Sequence, residues 1–187
     1  MTLKTYKPYT KSRRSTILVD RSELWKGKPY KPLTLIKNAS RGRNNLGRIT
    51  SRNHGGGHKQ RYRQIDFHRR KFDMPATVER IEYDPNRSCY IMLVKFEDGK
   101  KFYYLAPQNI KIGDKIKNGS NSEIKVGNCL PLKDIPVGIN IHNVELQPGA
   151  GGKVARSAGT SVTISGIDGN YSLIKMTSGE VRKIDSR

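Results

Sequence analysis

The sequence is poor in acid, in apolar residues and in cysteine. Its 36 Lys and Arg face only 16 Asp and Glu, which leaves a formal charge of +20 over 187 residues. So large an excess of one sign needs a polyanionic partner. Hydrophobic residues are 34% of the chain, so any core is small. The length gives room for one compact domain or two small ones. No apolar run approaches the roughly 20 residues that span a bilayer. The first 16 residues mix Lys, Arg and Thr with Tyr and Pro and make no signal-peptide pattern. An integral membrane protein is ruled out, and no membrane partner is expected. Two cysteines, Cys89 and Cys129, are too few and too distant for a disulfide-stapled secreted domain.

The positive charge is concentrated. Residues 1–72 hold 20 Lys and Arg and three acids, Asp20, Glu23 and Asp66, a net of +17, whereas residues 73–187 net only +3. A block of this kind repels itself until a polyanion neutralises it. It lacks the periodic apolar face that a membrane-surface helix needs, so nucleic acid is the better partner.

Residues 1–59 read as an extended basic arm punctuated by Pro8, Pro29 and Pro32, with short strand candidates at Ile17–Val19 and Leu33–Ile36. Residues 60–121 read as a first β unit. Tyr62 to Arg69 alternate over a strand length, and 77–84, 89–96 and 101–105 follow, the last two joined by Asp98-Gly99, a strong hairpin signal. Ile110, Ile112 and Ile116 suggest a further short strand, and 119–123 a flexible linker. Residues 122–187 read as a second β unit, with strands in 138–146, 161–167, 171–177 and 181–184 separated by glycine turns. No amphipathic helix exceeds two turns. The expected fold is mostly β: two small barrels behind the arm.

The densest chemistry lies in residues 41–63, where arginines, glycines and amides are interleaved. Guanidinium pairs bidentately with phosphate and stacks on bases, and glycine lets a backbone approach a sugar-phosphate chain closely. A stretch this polar cannot bury itself, so its order is expected to come from a partner. Nearby Tyr62 and Phe67 favour RNA, whose unstacked bases use aromatic faces. The bland alternative is a solvated tail. His54 and His58 have the spacing of a helical metal pair, but three glycines separate them and no cysteine completes a set, so no metal site is expected. Gly149 to Lys153 suggests a P-loop, but Gln147 and Val154 stand where Gly and Ser or Thr are required. The glycines could still cradle a polynucleotide phosphate, or form a plain loop. Cys89 and Cys129 look like small core residues and His142 like a strand histidine. No nucleophile, base and orienting group come together, so no enzyme is indicated.

Several long stretches carry a family resemblance. They are Gly42 to Thr50, Gly55 to Lys59, Tyr62 to Phe67, Pro75 to Arg87, and Ile135 to Gly138 through Arg156 to Thr160. Together they resemble the bacterial form of the "L-two" family of large-subunit ribosomal proteins, over nearly the whole chain. The resemblance implies an OB-like barrel followed by an SH3-like barrel. It implies binding to large-subunit rRNA near the peptidyl-transferase region, beside neighbouring ribosomal proteins, with a part in subunit assembly and association. By the same carry-over, the rRNA contacts are expected at Arg41, Arg43, Asn44, Arg48, Arg52, His54, Gly55, Gly56, Gly57, His58, Lys59, Arg61 and Arg63, at Arg69, Arg70 and Lys71, and at Gly151, Gly152, Lys153 and Arg156. No cofactor is expected, and any structural Mg2+ would be held by the RNA.

The family usually continues past the position of Arg187 into a basic, histidine-containing tail. The expectation is therefore a separate polypeptide that supplies that segment, as in an organelle with divided ribosomal genes, with loss of the segment as the alternative. A mitochondrial matrix location is favoured, with bacterial cytoplasm or plastid open. The rival reading is a free-standing RNA-binding regulator on the OB-like barrel, with Tyr90, Phe96, Phe102, Tyr103 and Tyr104 as its stacking platform.

Overall fold

A computed structural model describes residues 3–37 and 40–187. In chain order the elements are β1 (Leu3–Thr5), a one-turn helix α1 (Lys11–Arg14), β2 (Ile17–Val19), a 3-10 turn at Lys31–Leu33, β3 (Thr34–Ile36), β4 (Arg61–Arg63), β5 (Ala76–Glu82), β6 (Ile91–Phe96), β7 (Lys101–Leu105) and β8 (Lys115–Ile116). A second 3-10 turn at Leu132–Asp134 precedes β9 (Asn140–Ile141), β10 (Val162–Asp168), β11 (Tyr171–Lys175) and β12 (Val181–Asp185). Two four-stranded antiparallel sheets, ordered β7-β6-β5-β8 and β12-β11-β10-β9, curl into an OB-like barrel followed by an SH3-like barrel. Two-stranded pairs, β1-β2 and β3-β4, lie outside them. No helix among the described residues is long and apolar enough to cross a membrane.

The central strand β6 explains the first barrel. Its run Ile91-Met92-Leu93-Val94 is apolar without alternation and buried throughout, so both faces of the sheet must be covered. Met92, Val94 and Phe96 join Ala76, Val78, Tyr104, Ile110 and Ile116 inside the barrel. Ile91 and Leu93 join Cys89, Tyr103 and Leu105 on the opposite face, under Tyr30, Leu33, Ile65 and Phe67. A bulge between Val78 and Arg80 bends β5 and changes its phase, so that Glu82 pairs with Ile91 on the outer face. The Asp98-Gly99 turn closes β6 onto β7, with Gly99 at φ +79°.

In the second barrel Val162, Ile164, Ile174 and Ile184 pack on Leu132 and Val144. A bulge between Ile164 and Gly166 bends β10, and glycines at positive φ, Gly169 and Gly179, turn β10 into β11 and β11 into β12.

Three expectations change. The alternation from Tyr62 to Arg69 yields only β4 and one further bridge, Ile65 to Tyr103. Asp66 ends it, because its Oδ1 accepts the N–H groups of His68 and Arg69 at 3.0 and 3.1 Å while Arg69 takes φ +48°. Residues 30–36, read as arm, cover the outer face of β6, and β3 pairs with β4. Residues 119–123, read as a loose linker, are tied down: Gly119 N–H donates to Cys129 O at 2.8 Å, and Ser122 is buried.

Candidate nucleic-acid interface

Residues 42–51 form a hydrogen-bonded hairpin. Arg43 bridges to Ile49, and the N–H groups of Thr50 and Ser51 donate to Gly42 O at 2.9 and 3.1 Å. Asn44 Oδ1 accepts Leu46 N–H at 3.0 Å and Arg48 N–H at 2.9 Å. Gly42 sits at φ +71°, and a Cβ there would run into the Ser51 carbonyl oxygen. The expectation that this stretch takes all its order from a partner is therefore corrected. A polar segment needs no core when backbone and Asn side chain satisfy each other across a tight turn.

The candidate basic residues divide into two sets. Arg41, Arg43, Arg48, Arg52, Lys59, Arg61, Arg70 and Lys153 are exposed, and no ion pair among the described residues includes any of them. Asn44, His54, Gly55, Gly56, Gly57 and His58 lie exposed along the same ribbon, with His58 Nδ1 3.1 Å from Lys59 O. Not one acid lies between residues 24 and 65 to compete for these cations.

The other set is held by protein. Arg63 is buried, 3.8 Å from Asp84. Arg69, 5% exposed, lies 4.3 Å above the Tyr104 ring and donates to Gly127 O at 2.8 Å, across the junction of the barrels. Lys71 pairs with Asp98 and lies over Phe96. Arg156 stacks 3.9 Å above Phe67 and donates through Nε to Gly152 O at 2.7 Å. The Phe67 face that the sequence offers to a base carries this guanidinium instead.

The glycine loop after β9 is also filled from within. Glu145 accepts the N–H groups of Gly149 and Gly151 at 2.7 and 3.1 Å, and Gly152 N–H donates to Phe67 O at 3.1 Å. Gly151 and Gly152 are buried, so the phosphate cradle expected there is occupied by the protein's own carboxylate, and of the candidates Gly151, Gly152, Lys153 and Arg156 only Lys153 is exposed. Nothing in the spacing of the glycines could reveal this, since Glu145 lies upstream of the motif.

The stacking platform of the rival reading is largely core. Phe96, Tyr103 and Tyr104 are buried, the last two with phenols pushed up to about 12 by burial. Phe96 meets Phe102 and Tyr104 edge to face. Burial likewise raises both thiols above their usual range, Cys89 inside the sheet's outer core and Cys129 beside Arg69.

Two family models match the chain. The RNA-binding N-terminal domain of ribosomal proteins L2 matches residues 30–118, and the C-terminal domain of ribosomal proteins L2 matches residues 125–187. Among curated proteins, large ribosomal subunit protein uL2 of Pelagibacter ubique is 79% identical over 188 residues, covering 100% of this chain and 67% of the relative. The uL2 proteins of Granulibacter bethesdensis and Gluconobacter oxydans are 59% and 56% identical over 184 residues, each covering 98% of this chain and 67% of the relative. The chain thus spans about two thirds of the length of these bacterial proteins. Basic ribbon, paired barrels and sequence agree: the chain belongs to the uL2 family of large ribosomal subunit proteins.

Proposed function

We propose that this chain is a structural, non-enzymatic rRNA-binding component of the large ribosomal subunit. The ribbon of residues 41–61 threads between rRNA helices near the peptidyl-transferase region, while the barrels fix its place, meet further RNA and neighbouring ribosomal proteins, and support subunit assembly and association. The observation that carries the reading is the set of eight exposed candidate cations that make no ion pair among the described residues, six of them in a stretch that holds no acid. We divide the chain into an arm to about residue 59, a first barrel to 121 and a second from 122, with residues 30–36 serving the first barrel as cover.

The relatives are bacterial, so a bacterial large subunit is the better-supported setting, and the mitochondrial expectation gains nothing from them. They carry their remaining third within one chain, which lends no support to a separate polypeptide for that segment. A high-salt sucrose gradient of native ribosomes, with mass spectrometry of the large-subunit fraction, tests the proposal. One copy of the chain per large subunit is the expected result; recovery in free-RNA fractions alone would overturn it.

A further inference from the structure

At the turn of the 42–51 hairpin stands Leu46, 73% exposed, followed by Ile49, 63% exposed. A single exposed leucine is ordinary on a protein surface. This one is held in place. Its N–H donates to Asn44 Oδ1, which also takes Arg48 N–H, while Asn44 N–H donates to Arg48 O and Gly47 N–H to Asn44 O, both at 3.0 Å. The turn backbone is therefore fixed before any partner arrives, and its charged neighbours Arg41, Arg43, Arg48 and Arg52 are all positive.

An apolar tip ringed by cations suits flat apolar faces framed by phosphates. RNA offers that wherever a base is unstacked, and aliphatic side chains are known to wedge against bases. An acidic protein surface would match the arginines too, and RNA is favoured because the hairpin lies within residues 30–118, which match an RNA-binding domain model. We propose that the hairpin is a preformed wedge, in which Leu46, with Ile49 beside it, packs on an unstacked base of the rRNA. Arg43 and Arg48 grip the flanking phosphates, and Asn44 is the positioning residue. This rests on the rRNA-binding reading above and names how the ribbon selects its place on the RNA. Because the tip is already ordered, binding costs less conformational entropy there than a disordered tail would lose.

The test uses the full chain and deproteinised bacterial large-subunit rRNA. Leu46→Ala should weaken binding about tenfold, the scale of burying a leucine. It should leave the salt slope unchanged and remove chemical-probing protection at a single base. Arg48→Ala should instead flatten the slope by about one. Asn44→Ala should speed amide exchange at Leu46 and Arg48 in the free protein and weaken binding as Leu46→Ala does. Asn44→Asp, which keeps the acceptor, should retain the amide protection. Unaltered affinity and footprint in Leu46→Ala would overturn the wedge and leave rRNA binding standing. If the unaltered chain binds this rRNA no better than an unrelated RNA of equal length, rRNA binding itself falls, and the wedge with it.

Discussion

The Tyr103 hydroxyl lies 3.0 Å from each carboxylate oxygen of Glu82 and accepts the Tyr30 N–H at 2.8 Å. A single phenol thus ties the outer face of the first barrel to the chain segment that covers it. Arg80 extends the tie, donating to Glu82 at 2.7 Å and lying 4.8 Å from the Trp25 ring, while Trp25 N–H donates to Ile81 O at 2.8 Å. Tyr103→Phe strips the carboxylate of a donor and leaves the Tyr30 N–H without its acceptor. A loss of about 2 kcal/mol is expected, read as a lower denaturation midpoint, with Tyr171→Phe at an exposed ring as the unaffected control.

The same phenol gives an alkaline signature. Burial holds Tyr103 and Tyr104 at about 12, whereas unfolded tyrosine ionises near 10. The folded values are the higher ones, so this stabilisation is complete below pH 10 and is lost as pH rises toward 12. Near-ultraviolet phenolate absorbance should show two tyrosines titrating late. Titration of all nine tyrosines in one step near pH 10 would contradict it.

His142 supplies the acid limb. Burial first, and the Arg69 cation second, depress it from 6.5 to about 4, and its Nε2 is buried without a hydrogen-bond partner among the described residues. A depressed folded value means stability that is present above pH 6.5 and is lost as pH falls through 4. The contribution is on the order of 3 kcal/mol. His142→Gln should flatten the stability profile between those pH values, measured by urea unfolding at each pH.

On the proposed reading, eight exposed candidate cations set the salt dependence of rRNA binding. If all reach phosphates, log affinity should fall with log salt at a slope of about −6 to −7. A slope of about −7 to −9 would need about ten such contacts, but Arg63, Arg69, Lys71 and Arg156 already have protein partners. Replacing Arg43, Arg48 and Arg52 together with Ala should flatten the slope by about 2 to 3 and leave the β signal in circular dichroism unchanged. Lost β structure would show that the hairpin is not independent of the barrels.

Glu145→Ala would leave the N–H groups of Gly149 and Gly151 without their acceptor. The expected cost is about 1–2 kcal/mol, with faster amide exchange confined to 149–152. Unchanged exchange at those glycines would mean that the carboxylate does not hold the loop in solution.

Much of the fold could be read in the residues. Asp98-Gly99, the glycine turns of the second barrel and the β-rich runs beside them give β6, β7 and β10 to β12 nearly to the residue, because turn chemistry and strand pattern act locally. What escaped needed two distant segments at once. The unbroken apolar run of β6 requires a cover but does not name Tyr30 and Leu33 as that cover. Phe67 has the composition of a base-stacking ring until Arg156 is found against it. The hairpin at 42–51 was hidden for another reason: its order is stored in the Asn44 side chain and the backbone, which hydrophobic periodicity does not register.

The buried Arg69 guanidinium has a consequence for dissecting the molecule. It is rooted in the first barrel, stacked on Tyr104, and its Nη1 bond ends on Gly127, beyond residue 121. Asn118, itself buried, bridges to Cys129, so the seam is stitched twice. A fragment cut at residue 121 would strand a cation in a half-open socket, whereas one carried through residue 130 keeps both stitches. Two barrels by strand order, the chain is on this account one thermodynamic body. It should melt in a single calorimetric transition whose calorimetric and van't Hoff enthalpies agree.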